Sequence, residues 1–172
     1  MKETIQDLKT RRSMRTYKPE QITKNELVQV LEAGMNAPSG MNRQAAVMVV
    51  IQEPEMVKKL SAMNAAVAGE DSDPFYGAPT VIVVLADRTI PTYQYDGSLV
   101  MGNLLNAAYA LGLGACWIHR AKEMFSSEEG KKLLKKWGLD ERYEGIGNCI
   151  IGYGEGGYPE AGARKENYVV WD

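Results

Sequence analysis

The sequence predicts a single α/β domain of layered helices and strands. Two patterns and a length carry that expectation. Short apolar runs rich in β-branched residues, such as AVMVVIQ (46–52) and TVIVVLAD (80–87), read as buried strands. Segments with apolar residues at helical spacing lie between them. At 172 residues the chain has the size of one domain and can bury a substantial core.

Taken in order, the chain opens on a first helix. A second follows Thr23, which forms a capping box with Glu26 ahead of Leu27, Val28, Leu31 and Met35. Pro38 closes it and begins the loop NAPSGMNRQ. After the first strand, Pro54 starts a helix expected to place Met56, Leu60, Met63 and Val67 on one face. The polar stretch GEDSDPFYGAP (69–79) reads as a surface excursion, and 80–87 is the clearest strand. Asp96 is expected to cap the helix GSLVMGNLLNAAYALGLG (97–114), which is apolar almost all round and therefore buried on several sides. ACWIH (115–119) reads as a short strand. SSEEGKKLLKKWG (126–138) reads as an amphipathic helix, acidic at its start and basic at its end as the dipole favours, with Gly138 ending it. GIGNCIIGYG (145–154) is a further strand, and the tail PEAGARKENYVVWD ends in a short apolar run expected to form one more.

Composition narrows the function. The net charge of −2 argues against a general nucleic-acid binder, which would be basic. No apolar run approaches the roughly 20 residues of a membrane span. MKETIQDLK lacks the apolar core of a signal peptide, so the expected location is the cytoplasm. Cys116 and Cys149 sit inside apolar runs and read as reduced core thiols. With one histidine, His119, and no CxxC or HExxH spacing, a zinc site has no support.

Three motifs bear on chemistry. TRRSMRTYKPEQIT (10–23) gathers Arg11, Arg12 and Arg15 around Ser13. Guanidinium forks match phosphate or carboxylate oxygens, although the motif alone reads more simply as a solvated helix end. GYGEGG (152–157) matches GxGxxG, but YPEAGA follows where a dinucleotide site needs a helix, so the motif is a turn. In APSGMNRQ, Asn42 and Gln44 offer amide edges that suit a planar heterocycle, or simply a polar turn. His119 lacks the context of a hydrolytic base.

RRSxRxY, a helix, and then PSxxNxQ before the first strand resemble the FMN-dependent nitroreductase family. The similarity continues in order. DGSLVMGNLLNAAYALGLGACWI (96–118) looks like the family's central helix and flavin-facing strand. IIGYG (150–154) and then Arg164 and Lys165 look like its last core strand and terminal basic element. The resemblance spans residue 10 to the C-terminus. It implies a three-layer α-β-α sandwich, an intertwined homodimer, and FMN at the subunit interface with NAD(P)H as reductant.

By the same resemblance, Arg11, Arg12, Ser13 and Arg15 belong to the flavin site, with Arg11 nearest the phosphate and Arg15 nearer the ring's polar edge. Pro38, Ser39, Gly40 and Asn42 come from the second subunit, and Arg164 and Lys165 complete the phosphate site. Trp117, Ile118 and His119 lie against one flavin face and offer a backbone N–H toward N5. Asn64 reads the pyrimidine edge. The implied reaction moves hydride from NAD(P)H to flavin and on to a nitroaromatic, quinone or similar acceptor, with no obligatory amino-acid acid or base. Dehalogenation or enone reduction on the same scaffold, or a flavin-binding redox sensor, are the alternatives. Two departures stand out. The chain is short between 69 and 79, where larger members carry lid helices, and APSGMNRQAA lacks the aromatic that often follows the loop.

Overall fold

Strand runs with apolar side chains on both faces demand cover on both sides, and the fold supplies it. The computed structural model describes residues 2–172. Ten elements run in the order α1 (Glu3–Thr10), α2 (Lys24–Met35), β1 (Ala46–Ile51), α3 (Pro54–Ala68), β2 (Thr80–Asp87), α4 (Tyr93–Ala110), β3 (Gly114–Ile118), α5 (Ala121–Ser126), α6 (Glu128–Lys136) and β4 (Tyr143–Gly152). The strands form one sheet, ordered β1-β2-β4-β3, with every pair antiparallel.

Alternation along the strands builds two cores. Val81, Val83, Leu85, Cys116 and Ile150 face α3, α5 and α6, packing with Leu60, Met124, Phe125 and Leu134. Ile82, Val84, Cys149 and Ile151 face α2 and α4, packing with Leu27, Val30, Met101 and Leu104. This is the three-layer α-β-α arrangement. Between Val84 and Leu85 the pairing with β4 slips by one residue, a bulge at Ile146. Cys116 and Cys149 are free thiols on opposite faces of the sheet. Burial, helped by Cys116, pushes the Cys149 thiol well above its ordinary range, so it is inert.

Several expectations need correcting. The tail forms no strand: residues 155–172 are exposed, and the run Tyr168–Val169–Val170–Trp171 finds no strand edge to pair with on its own chain. The helix expected at 126–138 is present as α6, and a short helix absent from the sequence reading, α5, runs just ahead of it. Ser127 separates the two by donating to the Met124 carbonyl (2.6 Å) while accepting from Gly130 N–H (3.0 Å), which makes it the cap of α6. The run 46–52 is an edge strand, only partly buried until Ile51. In α3 the buried face is Val57, Leu60, Ser61, Asn64 and Ala65, while Val67 points outward. The excursion at 69–79 is anchored: Phe75 is buried in the core, and Asp73 accepts from Phe75 N–H (3.0 Å), Gly77 N–H (2.7 Å) and the Ser61 hydroxyl (2.5 Å). Asp96 is not a cap, because α4 begins three residues earlier.

Candidate functional site

Residues 11–18 run extended from the end of α1 across the sheet. Met14 N–H donates to the Ala115 carbonyl (3.0 Å), Lys18 N–H to Tyr153 (2.9 Å), and Glu155 N–H returns a bond to Thr16 (3.0 Å). Tyr17 is buried with its hydroxyl on the Met14 carbonyl (2.7 Å). These bonds place Ser13 and Arg15 on one wall of a cleft whose other wall is Glu155–Pro159. Arg12 spends its guanidinium on the carbonyls of Lys9 (3.0 Å) and Arg11 (2.7 Å), closing the end of α1. Arg11 behaves differently: its Nη1 is buried and has no hydrogen-bond acceptor among the described residues. Arg11 as a whole is half-buried, and a buried guanidinium nitrogen without an acceptor is costly and calls for an anion.

The loop after α2 is prebuilt. Asp96, 3% exposed, accepts from Gly40 N–H (2.9 Å) and the Thr92 hydroxyl (3.0 Å). Gly40 lies so close to Thr92 that an added Cβ would meet its Oγ1 at 2.5 Å. Gln44 N–H donates to the Ser39 hydroxyl (3.1 Å), and its side chain to Asn42 Oδ1 (3.1 Å). Met41, Asn42 and Gln44 all hold positive φ, near +50°, which is strain concentrated in one short loop. Pro38 and Ser39 line a cleft beside α4, and Asn42 is exposed.

The third group follows β3. Trp117 packs its indole over Gly147, where a Cβ would meet Nε1 at 2.3 Å, and that indole N–H has no partner among the described residues. Ile118 is buried, His119 is exposed, and Arg120 adopts φ +73°. Trp117, His119 and Arg120 line a cleft with Gln94, Ser98 and Ile146. Asn64 lies beneath it, wholly buried, donating to the His119 carbonyl at 2.6 Å. It therefore presents no edge to a ligand. Arg164 and Lys165 are exposed on the tail, Lys165 resting over the Tyr168 ring at 5.1 Å, and neither lines the cleft of Ser13 and Arg15. The sequence does not point to Asp96 or Arg120 as site residues: Asp96 reads as a cap, and Arg120 carries no local signal. Among the described residues no group of His, Cys, Asp and Glu is placed to hold a metal, and no helix is long and apolar enough to cross a membrane.

The sequence model of the nitroreductase family matches residues 8–154, taking in the basic arm, the strained loop and the segment after β3. The chain belongs to the nitroreductase family. A relative from Archaeoglobus fulgidus, provisionally named an NADH dehydrogenase/NAD(P)H nitroreductase, is 33% identical over 159 residues, covering 89% of this chain and 86% of its own. An FMN reductase [NAD(P)H] of Bacillus subtilis is 28% identical over 131 residues, 66% of this chain and 53% of the relative. The solved nitroreductase with bound FMN from Bacteroides fragilis superposes with a TM-score of 0.91 at 25% identity, covering all of both chains. One from Desulfitobacterium hafniense, also with bound FMN, gives 0.88 at 27%, again over all of both chains. The nitroreductase fold thus presents its basic arm, its strained loop and its Trp117 segment as three separate clefts on one chain.

Proposed function

We propose that this nitroreductase is an FMN-dependent enzyme that accepts hydride from NAD(P)H and reduces nitroaromatic, quinone or similar acceptors in alternating half-reactions. The single observation that carries the reading is Arg11 Nη1, buried without an acceptor on an arm that also offers Ser13 and Arg15. A phosphate monoester satisfies such a group through charge-assisted hydrogen bonds. When bound, FMN supplies the electron storage and the hydride-accepting atom. The chain binds, orients and shields. Arg11, Ser13 and Arg15 hold the phosphate end, with Arg164 and Lys165 brought in from the tail. The Trp117–Arg120 segment lies along one face and offers backbone N–H groups to negative charge gathering on the reduced ring.

The site is completed by a second copy. The three clefts, of about 400, 170 and 320 Å³, lie near or below the low end of the roughly 300–1,000 Å³ usual for a small-molecule site. Pro38, Ser39, Gly40 and Asn42 of the partner close it in this reading. Exposed apolar side chains stand ready for that contact: Ile5 and Leu8 on α1, which buries none of its own residues, and Tyr95 and Leu99 on α4. The proposed homodimer works in the cytoplasm, where its thiols stay reduced. The test is the absorption spectrum of the purified protein with its sedimentation. A yellow dimer that bleaches with NADPH and recovers on adding a quinone is expected. A colourless monomer that takes up no FMN overturns the reading.

A further inference from the structure

Beneath the Trp117–Arg120 segment lies a polar cluster inside the core. Asn64 on α3 and Asn148 on β4 are both wholly buried, and both point their amide nitrogens at Met124 Sδ, at 3.2 and 3.4 Å. Both amide oxygens lack a hydrogen-bond partner among the described residues. Unpaired buried oxygens oppose stability, so apolar side chains of the same size would serve the core better. Only one of the two amides makes a strong bond outside the cluster. Asn64 Nδ2 donates to the His119 carbonyl at 2.6 Å, across 55 residues of sequence.

That bond has a directional consequence. The His119–Arg120 peptide is trans and planar, so its C=O and N–H point in opposite directions. Drawing the His119 carbonyl inward to Asn64 turns the Arg120 N–H outward, on the side of the cleft lined by Trp117 and His119. The Arg120 N–H donates to no acceptor among the described residues, whereas its carbonyl is taken by Met124 N–H at 3.0 Å. Arg120 itself sits at φ +73°, a conformation that a non-glycine side chain adopts only when its surroundings impose it.

We propose that Asn64 is a positioning residue that fixes the plane of the His119–Arg120 peptide and so aims the Arg120 N–H into the cleft. The purpose of that aim, to meet charge on the reduced flavin, rests on the function proposed above. The geometry does not.

Asn64→Leu removes the donor at similar size, and Asn64→Ser, which cannot reach the carbonyl, is the milder second variant. Asn148→Leu is the control, because it deletes the neighbouring buried amide without touching His119. In flavin-free protein, the Arg120 ¹H–¹⁵N resonance is expected to move in both Asn64 variants and to stay in place in Asn148→Leu. With FMN bound, both Asn64 variants are expected to slow flavin reduction by NADPH about 10- to 100-fold while FMN affinity changes less than about threefold. The control is expected to leave that rate unchanged. If the Arg120 signal responds alike to all three substitutions, or to none, Asn64 is only core packing. If the wild-type protein takes up no FMN, the flavin reading fails while the Arg120 resonance still decides the positioning role.

Discussion

Arg11 is half-buried, with one guanidinium nitrogen left unpaired among the described residues. Its Nη1 is buried without an acceptor, and the nearest effect of its charge is to draw the Cys149 thiol slightly back from its raised position. Arg11→Met should therefore do two opposite things. Melting of the flavin-free protein should rise or hold steady, because a buried nitrogen without an acceptor is removed. FMN affinity should fall about 10- to 100-fold, the usual worth of a hydrogen bond to a charged group. Riboflavin, which has no phosphate, should bind both proteins equally in a fluorescence titration, and an equal loss for both flavins would place Arg11 elsewhere. The sequence offers the basic cluster as a candidate anion site, but the division of labour within it is not readable there. Arg12 closes its own helix, a local bond that residue type does not announce. Asn64 likewise reads as a heterocycle contact in one dimension and is a buried donor to a backbone carbonyl in three.

Two elements hold the site by bonds between distant segments. The α2 capping box extends beyond its own helix: Glu26 accepts from Thr23 N–H (2.7 Å) and from the Tyr153 hydroxyl (2.8 Å), just past β4. The bonds from Thr23, and then Tyr153, hold the Glu26 carboxyl below its ordinary 4.5. A folded-state value below the unfolded one adds stability that is fully present above about pH 5 and is lost as pH falls through the depressed value. Glu26→Gln should flatten the acid limb of urea-melting stability below about pH 5 and have a constant effect above it. Asp96 acts in the same way on the strained loop, holding Gly40 N–H and the Thr92 hydroxyl. Asp96→Ala leaves a part-buried N–H unpaired and should cost about 1–3 kcal/mol in urea unfolding, with protease cleavage appearing in 37–45. Asp96→Asn, which keeps one acceptor, should lose less. The capping box was readable from Thr23 and Glu26 three residues apart, because capping is local. Asp96 was read as a cap for the same reason, but its partner Gly40 lies 56 residues away, and no spacing rule reaches that far.

At the scale of the whole molecule, the tail has residues suited to burial and no place on its own chain to bury them. Tyr168, Val169, Val170 and Trp171 are 70%, 62%, 88% and 90% exposed, following Arg164 and Lys165. The tail's anchor comes earlier: Tyr158 donates to the Leu113 carbonyl at 2.8 Å and packs edge-on against Tyr109. The sequence marked the apolar run and the basic pair, and read the run as a strand, because strand patterning says nothing about which chain supplies the partner. Removing residues 160–172 keeps the Tyr158 anchor, all four strands and both cores, so the melting temperature of the flavin-free monomer should change little. If the tail embraces a second copy, the truncated protein should shift toward monomer in sedimentation equilibrium. It should also lose FMN about 10-fold or more, since the second basic pair leaves with the tail. A truncated protein that remains dimeric and holds FMN as tightly as the full chain would place both the interface and the phosphate grip on α1, α4 and the Arg11–Arg15 arm alone.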